Sequence, residues 1–135
     1  MTTSFKRFGN LVAYVFLAVF SACLPAPAAT RYVAPDGLHV PPFTSWETAA
    51  TNIQAALDVA SPGDVVVMTN GIYALSATVR VTDDVTLASL NGRDTVTLDG
   101  SALPSGSDAV FLQFGTLDGL TVSNAPRHGV KSEYG

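Results

Sequence analysis

Residues 61–73 read SPGDVVVMTNGIY, and this stretch contains the pattern that recurs through the rest of the chain. Val65–Met68 is a short apolar run of mainly β-branched residues, which pack well on a pleated strand. Pro62-Gly63 before it and Asn70-Gly71 after it are residue pairs that form tight turns. The stretch therefore predicts one short strand enclosed by two turns.

The same pattern of a short strand and a turn continues to the end of the chain, without any stretch of helical periodicity. The predicted strands are Val65–Met68, Thr78–Val81, Val85–Ala88, Thr95–Leu98, Val110–Gln113 and Leu120–Val122. Many short strands separated by turn residues predict an all-β fold, either a sandwich of hairpins or a parallel solenoid.

The spacing of these strands favours the solenoid. Val65, Val85 and Val110 begin similar runs, and Thr78, Thr95 and Leu120 form a second series. Repeats of about 20 to 25 residues with two or three short strands each are typical of the coils of a β-helix.

Within each predicted strand, apolar and polar residues alternate. In Val79-Arg80-Val81, for example, Arg80 would face solvent while both valines enter the core, because successive side chains of a strand point to opposite faces.

One amphipathic helix is predicted before the first of these strands, over residues 44–60. Its apolar positions recur at steps of three and four residues: Trp46, Ala49, Ala50, Ile53, Ala56, Leu57 and Ala60. Thr44 and Glu47 match a capping box at its start. Such a helix would cover the apolar interior at the end of a solenoid.

The first 28 residues have the features of a secretory signal peptide: basic Lys6 and Arg7, an apolar stretch, and small residues at the end. Ala28 and Ala29 flank the predicted cleavage site. Cys23, the only cysteine, lies in a context similar to a bacterial lipobox, so lipidation at Cys23 is the alternative processing. Both alternatives predict a secreted or cell-surface protein, lipid-anchored in the second case, without a transmembrane span or a disulfide in the mature chain.

The charge of the chain limits its partners. The formal net charge is −4, and without Lys6 and Arg7 five basic residues face eleven acidic ones, a charge of −6. An acidic chain without a basic cluster is a poor ligand for nucleic acid, so no nucleic-acid partner is expected. A polyanionic sugar would be repelled unless calcium bridged the two sets of carboxylates.

Several strings of the sequence resemble right-handed parallel β-helix proteins of the pectate-lyase-like superfamily. The N-terminal opening of those proteins is similar to Arg31–Gly37, Asn52–Asp58, Ser61–Met68 and Asn70–Tyr73, and one of their repeats is similar to Leu117–Asn124. The resemblance implies a right-handed parallel β-helix from a superfamily that includes polysaccharide lyases, glycoside hydrolases and non-catalytic adhesins. Calcium as a cofactor is implied by this resemblance alone, and no cofactor is evident from the residues themselves.

Candidate chemical residues are scattered through the chain, and none can be assigned as catalytic. The acidic candidates for paired carboxylates are Asp83, Asp84, Asp94, Asp99, Asp108 and Asp118. Asp83-Asp84 and Asp99-Gly100 also suit turns. Arg127, His128 and Lys131 form a small basic group that could act as a general base or contact an anionic sugar, or simply lie at a solvated coil edge.

Three further residues are expected to be structural rather than functional. His39 lies in a proline-flanked loop with no second histidine or cysteine spaced to share a metal, so no metal site is predicted. Trp46 and Tyr73 could stack on a sugar ring if they were exposed, but core or cap positions are expected for both.

The sequence therefore predicts three segments: 1–28 signal peptide, 29–43 N-terminal segment, and 44–135 capping helix with the first coils of the β-helix. Because residues 132–135 follow the start of another predicted strand without a cap, the chain is expected to be the N-terminal part of a longer, truncated solenoid. The expected function is binding of or action on polysaccharide, of the lyase or hydrolase type. The alternative is a non-catalytic cell-surface or adhesin-like protein.

Overall fold

The computed structural model describes residues 26–133, and in this range the chain is all-β with one short helix. The strands are β1 (Thr30–Val33), β2 (Val65–Met68), β3 (Gly71–Ala74), β4 (Val79–Val81), β5 (Thr86–Ser89), β6 (Val96–Asp99), β7 (Val110–Leu112), β8 (Thr116–Asp118), β9 (Thr121–Ser123) and β10 (Val130–Ser132). The helix α1 spans Ile53–Asp58.

These strands form three parallel sheets that the chain visits in turn. The strand orders are β1-β2-β5-β8, β3-β6-β9 and β4-β7-β10. From β2 onward, paired residues lie 20 to 31 positions apart in the sequence: Val110 and Val130 give the shortest separation, and Val79 and Val110 the longest. The connection from β1 to β2 is longer. All the described strand pairs are parallel, which excludes the sandwich of hairpins. The arrangement is compatible with a solenoid of β-helix type.

The core lies between the three sheets and is built from alternate residues of the strands. Val79 and Val81 are buried whereas Arg80 is exposed, which confirms the predicted alternation in β4. Neighbouring coils place apolar side chains in register, so that Val66 pairs with Leu87 and both are fully buried. The largest fully buried side chains are Phe43, Met68, Leu87, Leu98, Val33, Val66, Val81, Val96 and Val110.

The prediction of a helix over residues 44–60 was wrong for its first half. Asn52, not Thr44, is the N-cap: its side chain accepts from the backbone N–H groups of Gln54 and Ala55. Residues 47–50 instead bond to β1 and to the segment that follows it. The Ala50 N–H donates to the Tyr32 carbonyl at 2.9 Å, and the Ala50 carbonyl accepts from the Ala34 N–H at 2.9 Å. This pairing with the edge of the first sheet takes the backbone groups that a longer helix would need.

The short helix packs against β1 and β4, which lie at the ends of two of the sheets. Its buried residues Ile53, Ala56 and Leu57 pack in the core cluster. The Gln54 Oε1 atom accepts the backbone N–H of Arg80 at 2.9 Å, which satisfies a donor on the edge strand β4. Between residues 26 and 133, no helix has the length and apolar character that crossing a bilayer requires.

The predicted grouping of the strands was wrong in part. Val65 and Val85 begin strands of one sheet, but Val110 belongs to β7, which pairs with β4 in another sheet. Each complete coil contains three strands, and the runs Gly71–Ala74 and Thr116–Asp118 were not predicted as strands. Each of these runs has only one β-branched residue, Ile72 or Thr116, so a search for β-branched runs does not find them.

Candidate functional site

One outer face of the sheet β4-β7-β10 carries a row of basic and aromatic side chains. Arg80, Phe111 and Lys131 occupy equivalent positions on the three adjacent strands, since Arg80 pairs with Phe111 and Phe111 with Lys131. The Arg80 Cζ atom lies 5.1 Å from the centroid of the Phe111 ring, and the Lys131 Nζ atom lies 5.9 Å from it. Both distances are within the range of cation–π attraction. We call these three residues the basic face.

The row is a consequence of parallel stacking. Each of its members occupies the middle of a three-residue strand. Val79 and Val81, which flank Arg80, are buried, and so is Val110, which precedes Phe111. In a parallel solenoid, equivalent residues of successive coils lie one strand spacing apart, about 4.8 Å. Three outward side chains thus form a continuous column on the surface.

A histidine–aspartate pair lies beside the basic face. The His128 Nδ1 atom is 2.8 Å from the Asp108 Oδ1 atom, and each residue lies two positions before its strand, β10 or β7. The Asp108 side chain is 14% exposed and that of His128 is 50% exposed. The Thr78 hydroxyl donates to the Asp108 carbonyl at 2.7 Å, which ties this corner to a third coil.

Electrostatics at this corner favour the ionised carboxylate. The hydrogen bond with His128 lowers the pKa of Asp108, and partial burial acts against it without cancelling it; the charges of His128, Arg127 and Lys131 lower the pKa further. An imidazole that is oriented by a carboxylate can hold or transfer a proton at its other nitrogen. The pair therefore has the chemistry of a general base, beside a surface of positive charge.

The cations of the basic face differ in their pairing. The Lys131 Nζ atom lies 2.7 Å from a carboxylate oxygen of Glu133. Among residues 26–133, no carboxylate lies within 4.0 Å of the Arg80 guanidinium. Within the described residues, the Arg80 guanidinium therefore makes no ion pair and lies over the Phe111 ring instead.

The other predicted acidic residues do not form paired carboxylates. Asp83 and Asp84 have φ values of 59° and 60°, which confirms that they form a turn. Asp99 accepts from the backbone N–H and hydroxyl of Ser101 and from the Asn124 amide, and these bonds lower its pKa. Asp94 lies beside Arg93 at the surface.

No calcium site is formed by these residues. Asp118 is exposed on β8. In the described part of the chain, no three His, Cys, Asp or Glu side chains lie close enough together to hold a metal ion. The residues present do not fit the calcium that the family resemblance implies.

Amide side chains form two further outward contacts between coils. The Asn91 amide donates to the Asn70 side-chain oxygen at 2.8 Å, and the Asn124 amide donates to the Asp99 carboxylate at 2.9 Å. Hydrogen bonds of this kind tie one turn of the chain to the next turn. They stabilise the stack and bring no reactive group to the surface.

His39, Trp46 and Tyr73 have structural roles. The His39 ring accepts from the Thr51 backbone N–H at 3.0 Å and lies against Phe43. The predicted core or cap position of Trp46 was wrong: the side chain is 38% exposed and lies outside the helix, with its ring centroid 4.3 Å from that of Tyr32.

Tyr73 is 7% exposed, which confirms its predicted core position. Its hydroxyl donates to the Thr69 carbonyl at 2.9 Å, and burial raises its pKa. Tyr73 is therefore not available to stack on a sugar.

The predicted processing sites lie at the edge of the described chain. Cys23 lies outside the described residues. Ala28 is exposed, and the Ala29 N–H donates to the Asp64 carboxylate at 2.7 Å. The Ala29 carbonyl accepts from Val65 at 3.0 Å, so Ala29 directly precedes β1 at the edge of the first sheet.

Sequence reasoning selected His128, Lys131 and Arg127 but missed Arg80 and Phe111 as their neighbours. Only the strand register brings these residues together, because Arg80 and Phe111 are 31 positions apart and Phe111 and Lys131 only 20. Aligning Val79–Val81 with Val110–Leu112 on their central residues would have indicated that Arg80 and Phe111 are neighbours. The scan against family models, the search of curated proteins and the search of solved structures each found no match to this chain.

Proposed function

We propose that this chain belongs to an exported, right-handed parallel β-helix protein of the pectate-lyase-like type that binds acidic polysaccharide on its basic face. The observation that carries the proposal is the column of Arg80, Phe111 and Lys131, in which two cations lie on either side of an aromatic ring. Export rests on the signal-peptide pattern of residues 1–28, and lipid anchoring at Cys23 remains the alternative processing.

The basic face suits an acidic sugar for two reasons. An arginine guanidinium pairs with a carboxylate through two parallel hydrogen bonds, and Arg80 has no competing carboxylate among residues 26–133. The half-buried Phe111 ring offers apolar area for the C–H side of a sugar. Salt limits the repulsion between an acidic sugar and the distant carboxylates of the chain, because charges beyond about 8 to 10 Å are screened at physiological salt.

Catalysis is a second step that this proposal does not require. In a lyase reaction, the free nitrogen of His128 would take the proton from the carbon beside a uronate carboxylate. The glycosidic C–O bond on the next carbon would then break, a C=C bond would form, and the leaving oxygen would take a proton from water. The aspartates in the described part of the chain do not form a calcium site, so the proposed proton transfer uses His128 and Asp108 without a metal. The alternative is a non-catalytic surface or adhesin-like protein, which the amide contacts between Asn70 and Asn91 and between Asp99 and Asn124 favour.

The test is a binding measurement with matched arginine variants of the secreted protein. Arg80→Gln removes the free cation of the basic face, whereas Arg93→Gln removes an arginine that is 80% exposed elsewhere. Arg80→Gln is expected to weaken binding of polygalacturonate about tenfold, which equals about 1.4 kcal/mol, and Arg93→Gln to change it less than twofold. Equal effects of the two substitutions would contradict the proposed site.

A second assay separates binding from catalysis. Release of unsaturated sugars by the secreted protein, lost in His128→Ala while binding is kept, would identify a lyase that uses the His128–Asp108 pair. Binding without release of any product would support the non-catalytic alternative.

A further inference from the structure

The buried carboxylate of Asp64 collects three hydrogen bonds, and its two oxygens divide the donors. Oδ1 accepts the backbone N–H of Ala29 at 2.7 Å. Oδ2 accepts the Ser61 N–H at 2.9 Å and the Arg31 Nη2 at 3.0 Å. Asp64 is only 3% exposed, and the bonds and the Arg31 charge lower its pKa even though burial alone would raise it.

The partner of Oδ1 lies directly at the predicted processing site. Cleavage between Ala28 and Ala29 would convert the Ala29 N–H into an α-ammonium group, while the exposed Ala28 would leave with the signal peptide. The Ala29 carbonyl is held by the Val65 N–H at 3.0 Å, so the new terminus would already be docked at Asp64. The new positive charge would then lie within a hydrogen bond of a buried carboxylate.

We propose that Asp64 is the binding site for the α-ammonium group of Ala29 in the mature protein. This inference rests on the export and cleavage in the proposed function. The peptide N–H of the precursor makes a hydrogen bond to Asp64, whereas the ammonium of the mature chain makes a charge-assisted one, which is about twice as strong. Processing therefore strengthens the attachment of β1 to β2.

The surrounding charges determine how this site responds to pH. Arg31 is the other cation that contacts the Asp64 carboxylate among residues 26–133. The ordinary α-amino pKa is about 7.7 to 8.0, and the carboxylate raises it in the folded protein. The extra stability is complete below the ordinary pKa and is lost as the pH rises through the raised folded value.

The experiment uses the complete precursor, secreted by a bacterial host. Mass spectrometry of the secreted product identifies the first residue, and the pH dependence of its labelling with acetic anhydride gives the pKa of the α-amine. Between Ala29 and Gly135 only two amines would compete for the reagent, the new α-amine and Lys131, and mass spectrometry of the N-terminal peptide separates the α-amine from every lysine. We expect Ala29 as the first residue, with a pKa about one unit above that of the free peptide ATRYV, and therefore about tenfold slower labelling at neutral pH.

A one-residue insertion is the matched control. A glycine inserted after Ala28 leaves the Ala29 N–H bonded to Asp64 but moves the ammonium by about 3.8 Å, so its pKa should equal that of the peptide. Asp64→Asn should have the same effect if it folds.

Two results would overturn the proposal, and they differ in meaning. A secreted product that starts at another residue would refute both the predicted cleavage between Ala28 and Ala29 and the proposed ammonium site at Asp64. A product that starts at Ala29 with a peptide-like pKa would refute the Asp64 site alone and leave the proposed function intact.

Discussion

Truncation of Leu87 tests the packing on which every site described above depends. Leu87 lies in β5, is fully buried, and pairs in register with Val66 and Leu117 of the neighbouring coils. Leu87→Ala removes three carbon atoms, or about 2.4 kcal/mol at about 0.8 kcal/mol each. The cavity left between two coils adds to this cost, for a total of about 3 to 4 kcal/mol.

Leu90 is the matched control, because it is the same residue type three positions later but is 52% exposed. Its backbone N–H still donates to the Met68 carbonyl after substitution, so Leu90→Ala should cost less than about 1 kcal/mol.

Urea unfolding of the secreted protein, followed by circular dichroism, gives both values. With a slope of about 2 kcal/mol per molar urea, the midpoint of Leu87→Ala falls by about 1.5 to 2 M. Equal midpoints for the two variants would refute the assignment of inward and outward residues in this sheet.

Two further predictions concern the buried ion pair and a close contact between coils. Asp64→Asn leaves Arg31 buried without its counter-charge and should cost about 3 kcal/mol, whereas the exposed Asp36→Asn should be neutral in the same urea assay. The pKa of Asp64 is lowered in the folded protein, so its ionised carboxylate stabilises the fold above the ordinary pKa of about 3.9. This stabilisation is lost as the pH falls through the folded pKa. Acid unfolding of the wild type and of Asp64→Asn tests this direction. Gly115→Ala places a Cβ atom 2.6 Å from a Val81 methyl group and should cost about 1 to 3 kcal/mol, and a thermal midpoint equal to that of the wild type would contradict it.

The strands with strong local signals could be predicted from the sequence. Val65–Met68 is a strand with the predicted bounds, and the alternation of Val79, Arg80 and Val81 is confirmed. One face of these strands is buried, so apolar residues are required at the inward positions and the pattern is visible in the sequence. The all-β class and the parallel pairing follow from the same signals.

The helix and the strand partners could not be predicted as well, for a physical reason. The apolar residues Ala49 and Ala50 are buried as expected, but by pairing with the edge of the first sheet rather than by helix formation. Local periodicity does not distinguish these two ways of burying alanine. The hydrogen bonds of Ala50 with Tyr32 and Ala34 stabilise the extended pairing instead of a helix at these residues.

The candidate site depends on the strand register, which the sequence specifies only through loop lengths. His128 and Lys131 attract attention because basic residues are few after residue 31, but Phe111 has no local feature that marks it. The connection from β4 to β7, which contains β5 and β6, is longer than the connection from β7 to β10, which contains β8 and β9. A fixed repeat length therefore does not align Arg80, Phe111 and Lys131.

The most direct test of the central claim is calorimetric titration of the secreted wild-type protein with polygalacturonate and with an uncharged glucan of similar length. We predict little binding of the glucan and clear binding of the acidic polymer. Binding of the acidic polymer should weaken as salt is raised from about 50 to about 500 mM, because salt screens the attraction between surface charges. Equal binding of both polymers, or no binding of the acidic polymer at low salt, would contradict the role of the basic face.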